Sequence, residues 1–188
     1  MYAIICSLGV RAVAFEWSYD ELDDLVQAWI EQGAFDFSEF WSLPPTSEFF
    51  AGDGRITAGH FALLDRLRSE DQLDQVILFD RLDPEPLPHW QVRDQEMADR
   101  LLSVWDGKPL LALTGAFHAQ TGPQSDGEPM GCHVVRRRAG TKAAMLNYTS
   151  GACWSRGTTH DLSGEMPPAD IVIKLPHGTP ADVPGRSP

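Results

Sequence analysis

The chain has 188 residues, 43% of them hydrophobic, and a formal net charge of −12. That length supports one domain with a real core and is short for two, and no apolar run approaches the roughly 20 residues that span a bilayer. The acidic balance, with one dense basic cluster at Arg136-Arg137-Arg138, argues against nucleic acid or a membrane surface as partner.

Met1 to Leu8 is a short apolar segment closed by Gly9, and it reads as the tail of a helix. The start has no basic n-region, and Arg11 and Glu16 come too early for a signal peptide. Cys6, Cys132 and Cys153 are odd in number and lack CxxC spacing, which argues against a disulfide framework or a structural zinc site. A reducing cytoplasm is the expected location.

Val10 to Phe15 reads as a buried strand that ends in a carboxylate, Glu16. Ser18-Tyr19-Asp20-Glu21 has the form of a capping box, and Leu22, Leu25, Val26, Trp29 and Ile30 make one apolar stripe stopped by Gly33, so a helix is predicted over 19–32. From Ala34 to Arg55 the period is lost and aromatic residues gather around Pro44-Pro45: Phe35, Phe37, Phe40, Trp41, Phe49 and Phe50. Such an insertion either lines an apolar substrate pocket or caps the sheet. Asp53-Gly54-Arg55 reads as a turn, and Thr57 as the N-cap of a helix with Phe61, Leu64 and Leu67 inward and His60 in its first turn.

Gln75 to Asp80 is a second strand ending in a carboxylate, followed by a stiff connector over 83–88. Arg93-Asp94 opens a third helix whose inward stripe is Met97 or Ala98, Leu101, Leu102 and Trp105. Asp94 suits the positive helix end, whereas Arg93 opposes the macrodipole and calls for an anionic partner, with Glu16 and Asp80 as candidates. The run 108–114 reads as a buried strand delivering His118 at its carboxyl end, where open α/β sheets bind ligands. The polar stretch 121–128 reads as a mobile loop and a candidate lid, 131–138 as a short helix, 142–148 as a strand, 150–168 as loop, 171–173 as a last strand and 176–188 as a flexible tail.

This alternation predicts an α/β fold, with a layered, largely parallel central sheet flanked by helices in a single domain over 1–175. GxGxxG after a strand, a P-loop, HExxH and a GxSxG elbow are all absent from the sequence.

Several segments together resemble the superfamily of erythromycin esterases, ChaN-like haem-uptake proteins and TraB/Tiki proteins. They are Arg11-Ala12-Val13-Ala14-Phe15-Glu16, Val76-Ile77-Leu78-Phe79-Asp80, Arg93-Asp94-Gln95-Glu96-Met97-Ala98 and the strand leading to Gly115-Ala116-Phe117-His118. Pro129-Met130-Gly131 and Ala144-Met145-Leu146-Asn147-Tyr148 look similar to the family's downstream helix and strand, so the resemblance covers roughly residues 9–150. It implies that Glu16 is the acidic site residue ending the family's second strand, that His118 is the histidine of the G-x-x-H strand end, and that Arg93 belongs to the site. Gly115 stands where the esterases carry their first histidine. Family members begin with a strand and a G-E-x-x-H motif, and this sequence starts within the helix that follows. The expectation is either a truncated sequence or a reduced member lacking the first family strand.

The leading expectation is a hydrolase acting on an ester, lactone or amide of a small apolar molecule. Glu16 and His118 activate water, Arg93 stabilises the oxyanion, and Asp80, His60, Arg55 and Trp41 contact substrate. The alternatives are a ChaN-like protein binding haem through His118, a weak divalent metal site that adds His60 or Asp80, and a non-catalytic homologue that forms a homodimer across an exposed sheet edge.

Overall fold

A computed structural model describes residues 1–33, 37–51, 54–81, 90–155, 158–161 and 168–178. The connector predicted over 83–88, Phe35, Asp53 and the tail beyond 178 lie outside these. The elements in order are α1 (Tyr2–Ser7), β1 (Ala12–Ser18), α2 (Tyr19–Gln32), α3 (Phe37–Trp41), a 3-10 turn (Glu48–Phe50), α4 (Ala58–Ser69), β2 (Gln75–Asp80), α5 (Trp90–Val104), β3 (Leu110–Leu113), α6 (Met130–Arg137), β4 (Ala144–Tyr148), β5 (Ala152–Ser155), β6 (Thr158–Asp161) and β7 (Ile171–Leu175).

The protein is mixed α/β. β2, β1 and β3 form a parallel sheet in that order, β4 and β7 form a second parallel pair, and β5 and β6 form an antiparallel hairpin. All seven residues of β1 are buried, as an unalternated apolar run requires when both faces of a central strand are covered. On one face Val13, Phe15 and Trp17 pack with Leu22, Val26 and Trp29 of α2 and Phe61, Leu64 and Leu67 of α4. On the other, Ala14, Ile77 and Phe79 meet Met97, Ala98 and Leu101 of α5 and Met130 and Val134 of α6. The sheet is therefore sandwiched, and the carboxyl ends of its strands form a rim between two helical layers.

Local chemistry sets the helix boundaries. Gly33 closes α2 at φ 95°, a left-handed position that strains other residues, and its N–H donates to the Trp29 carbonyl. The Thr57 hydroxyl caps α4 by accepting the His60 N–H at 3.2 Å. The capping box predicted at Ser18 does not form: Ser18 makes no side-chain cap to α2, and its N–H donates to the Glu48 carboxylate instead. Ser18 is the last residue of a buried strand, so a tertiary acceptor displaces the local one. Register also shifts here, because Phe15 pairs with Leu78 but Ser18 pairs with Asp80, leaving Glu16 and Trp17 opposite Phe79 alone. This is a β-bulge, a device that re-aims side chains at strand ends.

Two further expectations are corrected, and a third stretch gains detail. β3 is half-buried rather than buried, because it takes an edge position in the described sheet. Within 150–168, expected as loop, Ala152–Ser155 and Thr158–Asp161 pair as strands. The 121–128 stretch contains a tight turn in which Gln124 and Gly127 exchange both backbone hydrogen bonds. On the outer edge of β2, the Gln27 amide and the Arg100 guanidinium donate to the carbonyls of Val76 and Leu78 at 3.3 and 3.4 Å. That edge is blunted by side chains. Among the described residues no helix is long and apolar enough to cross a membrane.

Candidate active site

Five ionisable groups, Glu16, Asp80, Arg93, Asp94 and His118, converge at the carboxyl rim of the central sheet, supplied by β1, β2, the first turns of α5 and the turn after β3. Glu16, at the bulge of β1, is only 6% exposed. One of its oxygens, Oε2, accepts the Thr114 hydroxyl at 2.6 Å and the Gly115 N–H at 2.7 Å, while Oε1 accepts Arg93 Nη2 at 3.3 Å. Arg93 also donates through Nε to Asp80 Oδ1 at 3.0 Å and through Nη2 to Asp80 Oδ2. The helix begins at Trp90, three residues before the predicted opening at Arg93, and Arg93 is paired with both carboxylates that the sequence suggested. Burial depresses the Arg93 pKa, but the hydrogen bond to Asp80 and the surrounding carboxylates outweigh it and raise it.

His118 sits one helical turn beyond β3, in a segment where the Ala119 N–H donates to the Gly115 carbonyl at 3.1 Å. Its Nδ1 lies 2.6 Å from Asp94 Oδ1, and its Nε2 lies 3.7 Å from Glu16 Oε1. Asp94 is fully buried, and the same Oδ1 also accepts the Met130 N–H at the start of α6 at 2.7 Å. A carboxylate beside Nδ1 fixes the tautomer that carries its hydrogen there and leaves Nε2 as the basic nitrogen. Burial lowers the His118 pKa, and the Asp94 hydrogen bond with the Glu16 and Asp94 charges overcomes it, so the net direction is upward.

Gly131 makes this approach sterically feasible. A Cβ there would fall 2.6 Å from the Gln120 carbonyl oxygen and 2.8 Å from that of Ala119, and its N–H donates to the His118 carbonyl at 2.8 Å. Only a glycine lets the start of α6 rest on the turn that carries the imidazole.

The predicted site residues separate into two groups. Glu16, Arg93, Asp80 and His118 come together, and Arg55 joins them through Nη1, 3.3 Å from Asp80 Oδ2. His60 and Trp41 belong to the opposite face of the sheet. The His60 ring packs 5.3 Å from Phe15 and 6.0 Å from Trp17, where burial lowers its pKa against a hydrogen bond to the Arg55 carbonyl. Trp41 meets Phe49 and Phe50 at 5.5 and 5.4 Å and packs against that same aromatic core. The insertion supplies core rather than a wall around Glu16 and His118, because its rings gain more from meeting one another than from lining a rim. The 3-10 turn within it contributes one group the sequence reading missed: Glu48, whose Oε2 lies 3.6 Å from Arg55 Nη1. Burial pushes the Glu48 pKa up to about 7, against the Ser18 N–H and Arg55.

Among the described residues no group of three His, Cys, Asp or Glu side chains is arranged to hold a metal ion. A haem axial bond does not suit this donor set either, since the Glu16 carboxylate stands in front of His118 Nε2. A water within about 2.8 Å of both atoms is geometrically feasible, at the apex of a triangle on their 3.7 Å separation. A shallow cleft bordered by Tyr19, Phe79, Arg81, Glu96 and Met97 opens beside the Asp80–Arg93 pair. Comparison of the chain with family models, with curated proteins and with solved structures finds no match.

Proposed function

We propose that this chain is a hydrolase, related to the erythromycin esterase superfamily, that attacks an ester, lactone or amide of a small apolar molecule with a water activated by His118. The observation that carries the reading is the Asp94–His118 bond, which turns Nε2 toward Glu16. Glu16 accepts three hydrogen bonds, two on Oε2 and one on Oε1, so its lone pairs are largely engaged. Its part is to orient the water and to stabilise the imidazolium that forms as Nε2 takes the proton. His118 is the general base and Asp94 its orienting group.

Arg93 uses Nε and Nη2 on Asp80 and Glu16, and its Nη1 has no partner among the described residues. That nitrogen is the donor available to a developing oxyanion. Protonated His118 then returns its proton to the leaving group as the tetrahedral intermediate collapses, which completes hydrolysis without an acyl-enzyme.

The test is a screen of fluorogenic esters, lactones and anilides, followed by His118→Ala and Glu16→Gln on any substrate turned over. Both variants are expected to lose at least about 100-fold in kcat/KM. Wild-type turnover in either one refutes the mechanism.

A further inference from the structure

Seven ionisable side chains form one continuous line across the rim, and the site described above uses only part of it. From Asp94 it passes to His118, Glu16, Arg93, Asp80 and Arg55, and it ends on Glu48 in the insertion. We infer that Glu48 is a positioning residue that sets how strongly Glu16 engages His118, acting through Arg55, Asp80 and Arg93. The inference rests on the reading of His118 as the base.

The node of the line is Asp80 Oδ2, which receives both Arg93 Nη2 and Arg55 Nη1. Each guanidinium nitrogen is in turn shared: Arg93 Nη2 with Glu16 Oε1 at 3.3 Å, and Arg55 Nη1 with Glu48 Oε2 at 3.6 Å. When Glu48 is charged it draws Arg55 toward itself, Asp80 is left to Arg93, and Arg93 leans away from Glu16. Glu16 then keeps more of its charge for His118. When Glu48 is neutral the order reverses: Arg55 satisfies Asp80, Arg93 is released to Glu16, and the imidazolium loses part of its counter-charge.

The groups facing Glu48 are the Ser18 N–H at the end of β1, Glu21 of α2, Arg55 and Asp80. Those facing His118 are Glu16 of β1 and Arg93 and Asp94 of α5. Glu48 is only 7% exposed, and burial pushes its pKa up to about 7. Ionisation of Glu48 therefore changes the charge at one end of a line that holds His118 near its other end.

Glu48 also pins the end of β1 through Ser18, so the test must separate charge from support. Glu48→Gln retains an oxygen to accept the Ser18 N–H and removes the charge. The His118 imidazole is followed by NMR from about pH 5 to about pH 9 in the full chain. In the wild type its curve is expected to show a second inflection as Glu48 ionises. In Glu48→Gln the curve is expected to be a single step with its midpoint lower by about half a pH unit. Arg55→Gln, which leaves the Ser18 contact intact, is expected to move the midpoint in the opposite direction.

An unchanged midpoint and curve shape in Glu48→Gln overturns the inference and leaves Glu48 a structural pin. If that variant fails to fold, an unchanged midpoint in Arg55→Gln overturns it equally. Because the imidazole is read directly, failure to turn over any ester, lactone or anilide bears on the hydrolase reading and not on this coupling.

Discussion

Asp94→Asn is the substitution that asks most of the proposed site while changing least of its shape. Asp94 is fully buried and makes both of its described bonds through Oδ1, to His118 Nδ1 at 2.6 Å and from the Met130 N–H at 2.7 Å. The asparagine oxygen, with two lone pairs, can still accept both, but it carries no charge. A hydrogen bond to a charged group contributes about 1.5–3 kcal/mol against about 0.5–1.5 kcal/mol for a neutral one, and 1.36 kcal/mol corresponds to one pH unit. His118 is therefore expected to titrate about one pH unit lower in the variant. The sign for catalysis follows. A base works when neutral, so the acid limb of kcat/KM moves to lower pH, while the plateau falls about 100-fold or more because no carboxylate charge remains beside Nδ1 to stabilise the imidazolium as it forms. Imidazole NMR and a pH–rate profile on a substrate from the screen read the two effects separately. An Asp94→Asn protein whose His118 midpoint and plateau rate both match wild type would show that the charge of this carboxylate does not act on the imidazole.

Gly131→Ala forces a methyl against two backbone carbonyls that have no soft side chain to yield, at 2.6 and 2.8 Å. The expected cost is about 1–3 kcal/mol in urea unfolding; a neutral result would mean that α6 does not rest on the His118 turn. His60 has a lowered pKa, so its neutral form contributes stability that is present above its unfolded value of 6.5 and is lost as pH falls through the lower folded value. In His60→Phe that component is absent, so the variant's stability relative to wild type is expected to grow between about pH 7 and about pH 5. A difference independent of pH would place the His60 ring in water rather than against Phe15 and Trp17. His118 acts with the opposite sign, its stabilisation being complete below 6.5 and lost as pH rises through its raised folded value, so the subtraction of variant from wild type isolates His60.

The strands and helices were legible where one residue pattern had one physical use. The unalternated run 10–15 can only be a strand covered on both faces, and the Leu22, Val26, Trp29 stripe can only face a core. The pairing of Arg93 with Asp80 and Glu16 was legible for the same reason, since a cation at a helix start has few other ways to be satisfied. Asp94 hid behind a sufficient local explanation. A carboxylate suits a helix start on dipole grounds alone, and nothing in α5 reveals that its oxygen meets an imidazole 24 residues away. Ser18 misled in the converse way, because a plausible local cap was outcompeted by Glu48, 30 residues distant. The aromatic insertion was ambiguous between pocket and core because both uses bury rings; which one wins depends on the partner rings, and those come from β1 and α4.

The bulge in β1 makes the length of this strand matter to the single residue. Two residues there, Glu16 and Trp17, occupy the space opposite Phe79. Deleting either one would close the bulge and leave the other alone opposite Phe79, with Ser18 still paired to Asp80. Without Glu16 the rim loses its carboxylate and the indole is drawn opposite Phe79; without Trp17 the aromatic core loses its indole. Sequences that diverge from this one can change length freely in surface loops, whereas between Phe15 and Ser18 a gap of one position is incompatible with keeping both halves of the protein.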